Sequence, residues 1–135
     1  MSLMSATAPR RITALRLILA LDGIVVLVIG AAILADPAGF HATYGTVLPD
    51  SASLLSELRA PATALLGFGL LMLAGAVRPA LSDTAALTAT VLYLGYGLGR
   101  VLGVSLDGMP DGAILAAAGI ELALGLVTLA LWRRG

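Results

Sequence analysis

The chain contains no cysteine and no lysine, and its single histidine is His41. Without cysteine it has no disulfides, no thiolate metal site and no thiol redox chemistry. One histidine cannot supply the His-x-x-x-His pair of a helical zinc site, and His41 with Asp36 and Asp50 is a poor metal set, better read as a histidine at a membrane interface. Charged residues make up 12% and aromatics 4% of the chain, and no basic run is interleaved with aromatics, so nucleic acid is excluded as a partner. No Gly-x-Ser-x-Gly elbow is present, which argues against a serine hydrolase. Asp107 and Asp111 do not follow the calcium-loop pattern and read as turn and cap residues. Gly95-Tyr96-Gly97-Leu98-Gly99 has no strand before it and lies in an apolar run, so helix packing explains it better than a dinucleotide. No metal or other cofactor is expected.

What the chain has in abundance is apolar surface: 59% of its 135 residues are hydrophobic and the mean hydropathy is +1.02. A water-soluble domain of this size does not carry that much. The charged residues cluster and leave four apolar stretches of about 20 residues, the length that crosses ~30 Å of hydrocarbon. The predicted architecture is an all-α integral membrane four-helix bundle occupying residues 1–135 as one domain, with spans at about 12–35, 54–77, 85–104 and 113–132.

The first span ends at Asp36-Pro37, because proline disfavours helix in the residue before it. A signal peptide is the competing reading, but the run exceeds the ~7–15 residues of a signal core, and Asp22 interrupts it. Residues 36–53 mix turn formers with Phe40, His41 and Tyr44, which predicts a short interfacial helix between spans one and two. Ser53 or Asp50 is the candidate cap of span two, and Arg78-Pro79 ends it. Pro61 is harmless if that helix starts near Ser56 and kinks it if the start is near Asp50. Ser82-Asp83 offers caps for span three. Asp107-Gly108-Met109-Pro110-Asp111-Gly112 reads as a tight turn, Asp111 as the cap of span four and Trp132 as its interfacial anchor.

Arg10, Arg11, Arg16, Arg78, Arg133 and Arg134 fall on one side of the four spans. The two loops on the other side hold Asp36, Asp50, Asp107 and Asp111 and no arginine. The positive-inside rule then puts both termini in the cytoplasm, and the expected location is the bacterial inner membrane.

Five ionisable residues remain within the spans: Asp22 and Glu121 near mid-depth, and Glu57, Arg59 and Arg100 towards the outer surface. An unpaired charge at a span centre costs about 2.5–3.5 kcal/mol, so such residues are expected to face the bundle interior and pair. Tyr93, Tyr96 and Arg100 share one face of span three, and Gly95, Gly99 and Gly103 form a neighbouring stripe where another backbone could approach. On span four Ala117, Glu121, Gly125 and Thr128 align. Together these predict a pocket in the outer half, walled by Tyr93, Tyr96, Arg59 and Arg100 and floored by Asp22 and Glu121. The competing reading is that Arg59 and Arg100 pair with Glu121, Asp22 or Glu57 merely to set helix register, or that Arg59 and Glu57 snorkel to the headgroups. Three carboxylates against two guanidiniums leave one negative charge over unless Asp22 or Glu121 is neutral.

Glu57-Leu58-Arg59-Ala60, Tyr96-Gly97-Leu98-Gly99-Arg100, Asp107-Gly108-Met109-Pro110 and Glu121 resemble the pattern of a family of small bacterial four-span membrane proteins known as a domain of unknown function. The resemblance runs from about Ile12 onward. It implies the same bundle and draws attention to Arg59, Arg100 and Glu121, but brings no reaction, substrate or cofactor. In size and span count the chain is also similar to DoxX-like proteins and to sterol-isomerase and sigma-receptor-like bundles, with no shared motif that transfers a catalytic residue. Three functions fit: binding of a membrane lipid or small amphiphile, its anionic head at Arg59 and Arg100; an enzyme using Glu121 or Asp22 as general acid/base on a lipid-soluble substrate; or a structural subunit forming a homo-oligomer through the glycine stripe. Reporter fusions are expected to find both termini and the Arg78 loop on the cytoplasmic side, and an external Arg78 loop would refute the orientation.

Overall fold

A computed structural model of the protein describes residues 8–134, with side chains from Thr13 onward; the side chains of Arg10 and Arg11 lie outside the described residues. The elements are α1 (Ala8–Ala35), a short helix α2 (Pro37–Ala42), α3 (Ala52–Val77), a 3-10 turn (Pro79–Leu81), α4 (Ser82–Asp107) and α5 (Gly112–Arg133). Four helices, α1, α3, α4 and α5, are long and apolar enough to cross a membrane.

Each boundary has a local cause. Asp36 caps α2 by accepting from the Gly39 N–H at 2.9 Å, with Pro37 in the first turn where its missing N–H is not needed. Ser51, not Ser53 or Asp50, caps α3 by accepting from the Leu54 N–H, so the helix starts a little earlier than the apolar run suggests. Pro61 therefore lies well inside α3, which nevertheless runs unbroken through it. Helix α4 starts at Ser82 and ends at Asp107, beyond both limits read from hydropathy. Neither Ser82 nor Asp83 caps it: the Ser82 hydroxyl donates to the Gly75 carbonyl at 2.8 Å, and Asp83 accepts from the Trp132 indole N–H at 3.1 Å. The preceding 3-10 turn feeds straight into α4 and leaves those side chains free for tertiary contacts. Gly108, at φ 97°, ends α4 in a conformation that favours glycine, and Asp111 caps α5 by accepting from the Ala113 N–H at 2.8 Å.

The four long helices run antiparallel in sequence around the bundle, with α1 beside α3, α3 beside α4, and α4 beside α5. Helix α5 closes the ring against α1, while α3 and α5 lie diagonally and do not touch. The pairing of α1 with α3 has a regular register. A Cβ on Gly23 would meet the Gly69 carbonyl oxygen at 2.9 Å, and one on Gly69 would meet the Gly23 oxygen at 3.0 Å. Seven residues one way, Gly30 faces the Ala62 carbonyl in the same manner; seven the other way, the Arg16 Nε donates to the Ala76 carbonyl at 2.6 Å. The bare backbone of Gly23, Gly30 and Gly69 allows the helices to come this close.

The distribution of side-chain size is inverted relative to a soluble bundle. Buried positions are dominated by small residues, among them Ala62, Ala76, Ala85, Ala86, Ala89 and Ala118, with Leu19, Leu65 and Met72 as the larger fillers. Large apolar side chains such as Leu17, Val28, Leu70, Leu98 and Leu126 face outward along the full length of the helices. Such an exterior suits hydrocarbon and would not remain monomeric in water. The protein is a multi-pass membrane protein, with Arg16, Arg78, Arg133 and the Trp132–Asp83 bond at one end of the bundle, the arginine end, and α2 with the Asp107–Gly112 turn at the other, the loop end.

The close approach at Gly23 sets a clear expectation. Gly23→Leu should destabilise the bundle by about 2 kcal/mol through overpacking, whereas Gly95→Ala, where nothing lies within 4 Å, should be neutral or gain up to about 1 kcal/mol. Unfolding of both variants in detergent, followed by circular dichroism, measures the difference.

Candidate functional site: a loop-end cavity beside an arginine–glutamate pair

At the loop end the four helices diverge around a cavity of about 430 Å³. Val26, Ile29, Leu65 and Leu92 contribute apolar walls, and Tyr93, Tyr96, Arg100 and Glu121 the polar ones. Over them lies the α2 segment, from which Phe40, His41 and Tyr44 also line the space. Phe40 holds this cover together by ring contacts with His41 and Tyr44 at centroid distances of 5.5 and 5.3 Å.

Arg100 and Glu121 form a bidentate pair: Arg100 Nε donates to Glu121 Oε2 at 2.8 Å and Nη2 donates to Oε1 at 3.1 Å. It is the one ion pair among the described residues, with the arginine side chain 34% and the glutamate 15% exposed. A planar guanidinium matched to a carboxylate in this way is the strongest arrangement the two can adopt. Both glutamate oxygens are thereby occupied, while Arg100 Nη1 has no hydrogen-bond partner among the described residues.

Asp22 lies deeper than the predicted floor. It is fully buried and does not line the cavity. Its Oδ2 accepts from Thr128 Oγ1 at 2.7 Å, and its main-chain carbonyl accepts from Tyr93 Oη at 2.8 Å. Tyr93 is 5% exposed and reaches across to α1, whereas Tyr96, one turn further along α4, is 41% exposed and stands at the cavity's margin. Asp22 Oδ1 and Thr90 Oγ1 are buried without a hydrogen-bond partner among the described residues.

Arg59 and Glu57 do not join the site. Both are exposed, and Arg59 Nε donates to the Leu34 carbonyl at 3.2 Å. The last carbonyls of a helix lack intrahelical donors and carry the negative end of its dipole, so a guanidinium there is favourable. Arg16 does the same for the end of α3. A wall built from two arginines is therefore replaced by one arginine already neutralised by glutamate.

The Gly95, Gly99 and Gly103 stripe faces away from the other helices, with nothing within 4 Å of a Cβ at any of the three. The glycines that admit neighbours are Gly97 and Gly125, where a Cβ would meet Leu122 and Leu94 side chains at 2.7 Å. Gly95 and Gly99 instead floor an open groove of about 800 Å³ between α3 and α4, walled by Phe68, Leu87 and Val91. The groove and the cavity share Leu92, Tyr96 and Arg100. The small-residue strip of α5 does face inward: Ala117 lines the cavity, Glu121 pairs with Arg100, Gly125 receives Leu94 and Thr128 binds Asp22.

Sequence reasoning placed Phe40, His41 and Tyr44 at the interface but did not bring them over a cavity. Their aromatic character was the only signal, and a loop has no periodicity from which its path could be read. As for metals, Asp36 is engaged at the α2 cap, and no group of three or more His, Cys, Asp or Glu among the described residues is placed to hold one.

The chain matches the model of DUF4345, a domain of unknown function, over residues 14–132. It belongs to that family. No curated protein and no solved structure matches it. The family match takes in both members of the ion pair, the cover and all four spans.

Removing one member of the pair strands the other. Arg100→Met should cost about 3 kcal/mol, and adding Glu121→Gln should recover most of that loss. A double-mutant cycle on unfolding in detergent reads the coupling directly.

Proposed function

We propose that this DUF4345 protein binds a membrane-soluble amphiphile, with its weakly polar head beside Arg100–Glu121 and its tail among the apolar walls. The observation that carries the reading is the cavity itself. A space of about 430 Å³, mostly apolar and with a few converging polar groups, has the size and character of a small-molecule site. The neighbouring groove between α3 and α4 opens sideways to lipid and shares Tyr96 and Arg100 with the cavity, which gives a ligand a lateral route from the bilayer.

The charge balance argues for an uncharged head. An anionic head would be drawn to two free guanidiniums, but Arg59 is engaged at the end of α1, and Arg100 is matched by Glu121. The general acid/base alternative has weaker geometric support, because Glu121 has both oxygens engaged and Asp22 is sealed from the cavity. The arginine end is read as the cytoplasmic face of an inner membrane, which sets the cavity in the outer half of the bilayer.

The protein purified in mild detergent should carry a non-covalent adduct of a few hundred daltons in native mass spectrometry. Ala117→Trp, which fills the cavity while leaving Arg100 and Glu121 in place, should remove it. Bare protein in both cases refutes the reading. Gly99→Leu should lower the adduct's occupancy by narrowing the groove, while conversion of an oligomer to a monomer would identify the stripe as a subunit contact.

A further inference from the structure

The polar groups of the cavity differ in what they lack, and that difference specifies the head group. His41 Nδ1 is 2.7 Å from the Pro37 carbonyl oxygen. A carbonyl oxygen only accepts, so Nδ1 carries the proton. In the neutral imidazole Nε2 is then a pure acceptor. No protein group is hydrogen-bonded to Nε2 among the described residues. On the other side of the requirement stands Arg100, whose guanidinium can only donate and whose Nη1 remains unused after Glu121 has taken Nε and Nη2. Both residues line the same cavity. One group there needs a proton donor and the other needs an acceptor.

We propose that the amphiphile's head is a hydroxyl, which donates to His41 Nε2 and accepts from Arg100; the inference rests on the amphiphile-binding reading above. Carboxylate, ether, ketone and ammonium heads each satisfy only half of the site. A carboxylate accepts from Arg100 but sets its charge against Glu121 and gives Nε2 no proton. An ether or ketone serves Arg100 and leaves Nε2 unpaired. An ammonium serves Nε2 and is repelled by the guanidinium. Tyr44 and Tyr96, which line the same space, carry hydroxyls that can donate or accept, so they tolerate any of these heads and do not discriminate among them. Long-chain and isoprenoid alcohols meet both demands with a single uncharged group and also fill an apolar cavity with a lateral opening.

The test uses the full chain in detergent micelles, at about pH 8, the upper edge of the range over which imidazole changes charge. The probes are 1-dodecanol, its methyl ether and dodecanoate, titrated by native mass spectrometry. A site built to hydrogen-bond a hydroxyl rejects the analogue that lacks it, so the alcohol should bind about tenfold or more tightly than either competitor. His41→Phe, which keeps an aromatic ring against Phe40, should bring alcohol and ether within about threefold of each other by weakening the alcohol alone. His41→Gln, which retains an acceptor, should restore part of the preference. Equal binding of alcohol and ether by the unmodified protein overturns the hydroxyl assignment and leaves the amphiphile reading standing, as does tighter binding of dodecanoate. Failure of all three probes to bind, with no difference from Ala117→Trp, overturns both together. The alcohol-to-ether ratio of the unmodified protein decides the matter even if the His41 variants do not fold.

Discussion

Asp22 is where hydrogen bonds tie α1 to both helices of the opposite pair. Hydrocarbon outside the bundle is as apolar as leucine, so the hydrophobic effect does little to hold one transmembrane pair against another; close packing and hydrogen bonds must do it. Helices α1 and α3 are held by bare-backbone contacts at Gly23 and Gly69, and α4 and α5 by leucines laid over Gly97 and Gly125. Between the pairs, α1 presents the buried Asp22, which takes a hydrogen bond from Thr128 of α5 on its carboxyl and one from Tyr93 of α4 on its carbonyl. Towards the arginine end from this joint the interior is closed by alanines and Met72; towards the loop end it widens into the cavity. Tyr93 belongs to both regions, since it lines the cavity with its ring and holds the joint with its hydroxyl.

The same demand for internal satisfaction explains how the arginines are used. A guanidinium near the membrane needs acceptors, and the ends of the helices offer carbonyls that have lost their own donors. Arg16 on α1 serves the end of α3, and Arg59 on α3 serves the end of α1, so the two helices of one pair brace each other at opposite ends. Arg100 is different in that its acceptor is a carboxylate on a neighbouring span. It is the one of the three that lines the enclosed cavity, whereas the other two are bonded to the carbonyls at helix ends.

The α2 segment completes the lining of that cavity. Pro37 and the Asp36 cap start a helix too short to cross anything, and its Phe40, His41 and Tyr44 turn towards the opening between the spans. Orientation of the His41 ring by the Pro37 carbonyl is a local, within-helix effect, yet it determines which ring nitrogen is left without a partner among the described residues. A four-residue hydrogen bond thereby sets the chemistry of a cavity formed by five helices.

How much of this could be read from the residues depended on which physical quantity carried the information. Hydropathy and span length are additive along the chain, so the four crossing helices, the short helix after α1, the turn at Gly108 and the clustering of arginine at one end were all legible. Helical spacing also indicated that Tyr93, Tyr96 and Arg100 share a face, and that Glu121 sits on a strip of small residues. Spacing defines faces, however, and does not say which way each face turns in the bundle. Within the chain the Gly95 and Gly99 stripe meets no neighbouring atom within 4 Å of a Cβ, while Gly97, two residues away and outside any evident pattern, is the glycine of α4 that receives a neighbouring side chain. Arg59 lies one helix face away from the cavity and found the end of α1 instead. The partnership of Asp22 with Thr128, far apart in sequence, and the placement of His41 in the lining of the same cavity as Arg100 and Glu121 follow only from the rotation of each helix and the path of one loop, which are settled by close packing among all the helices at once.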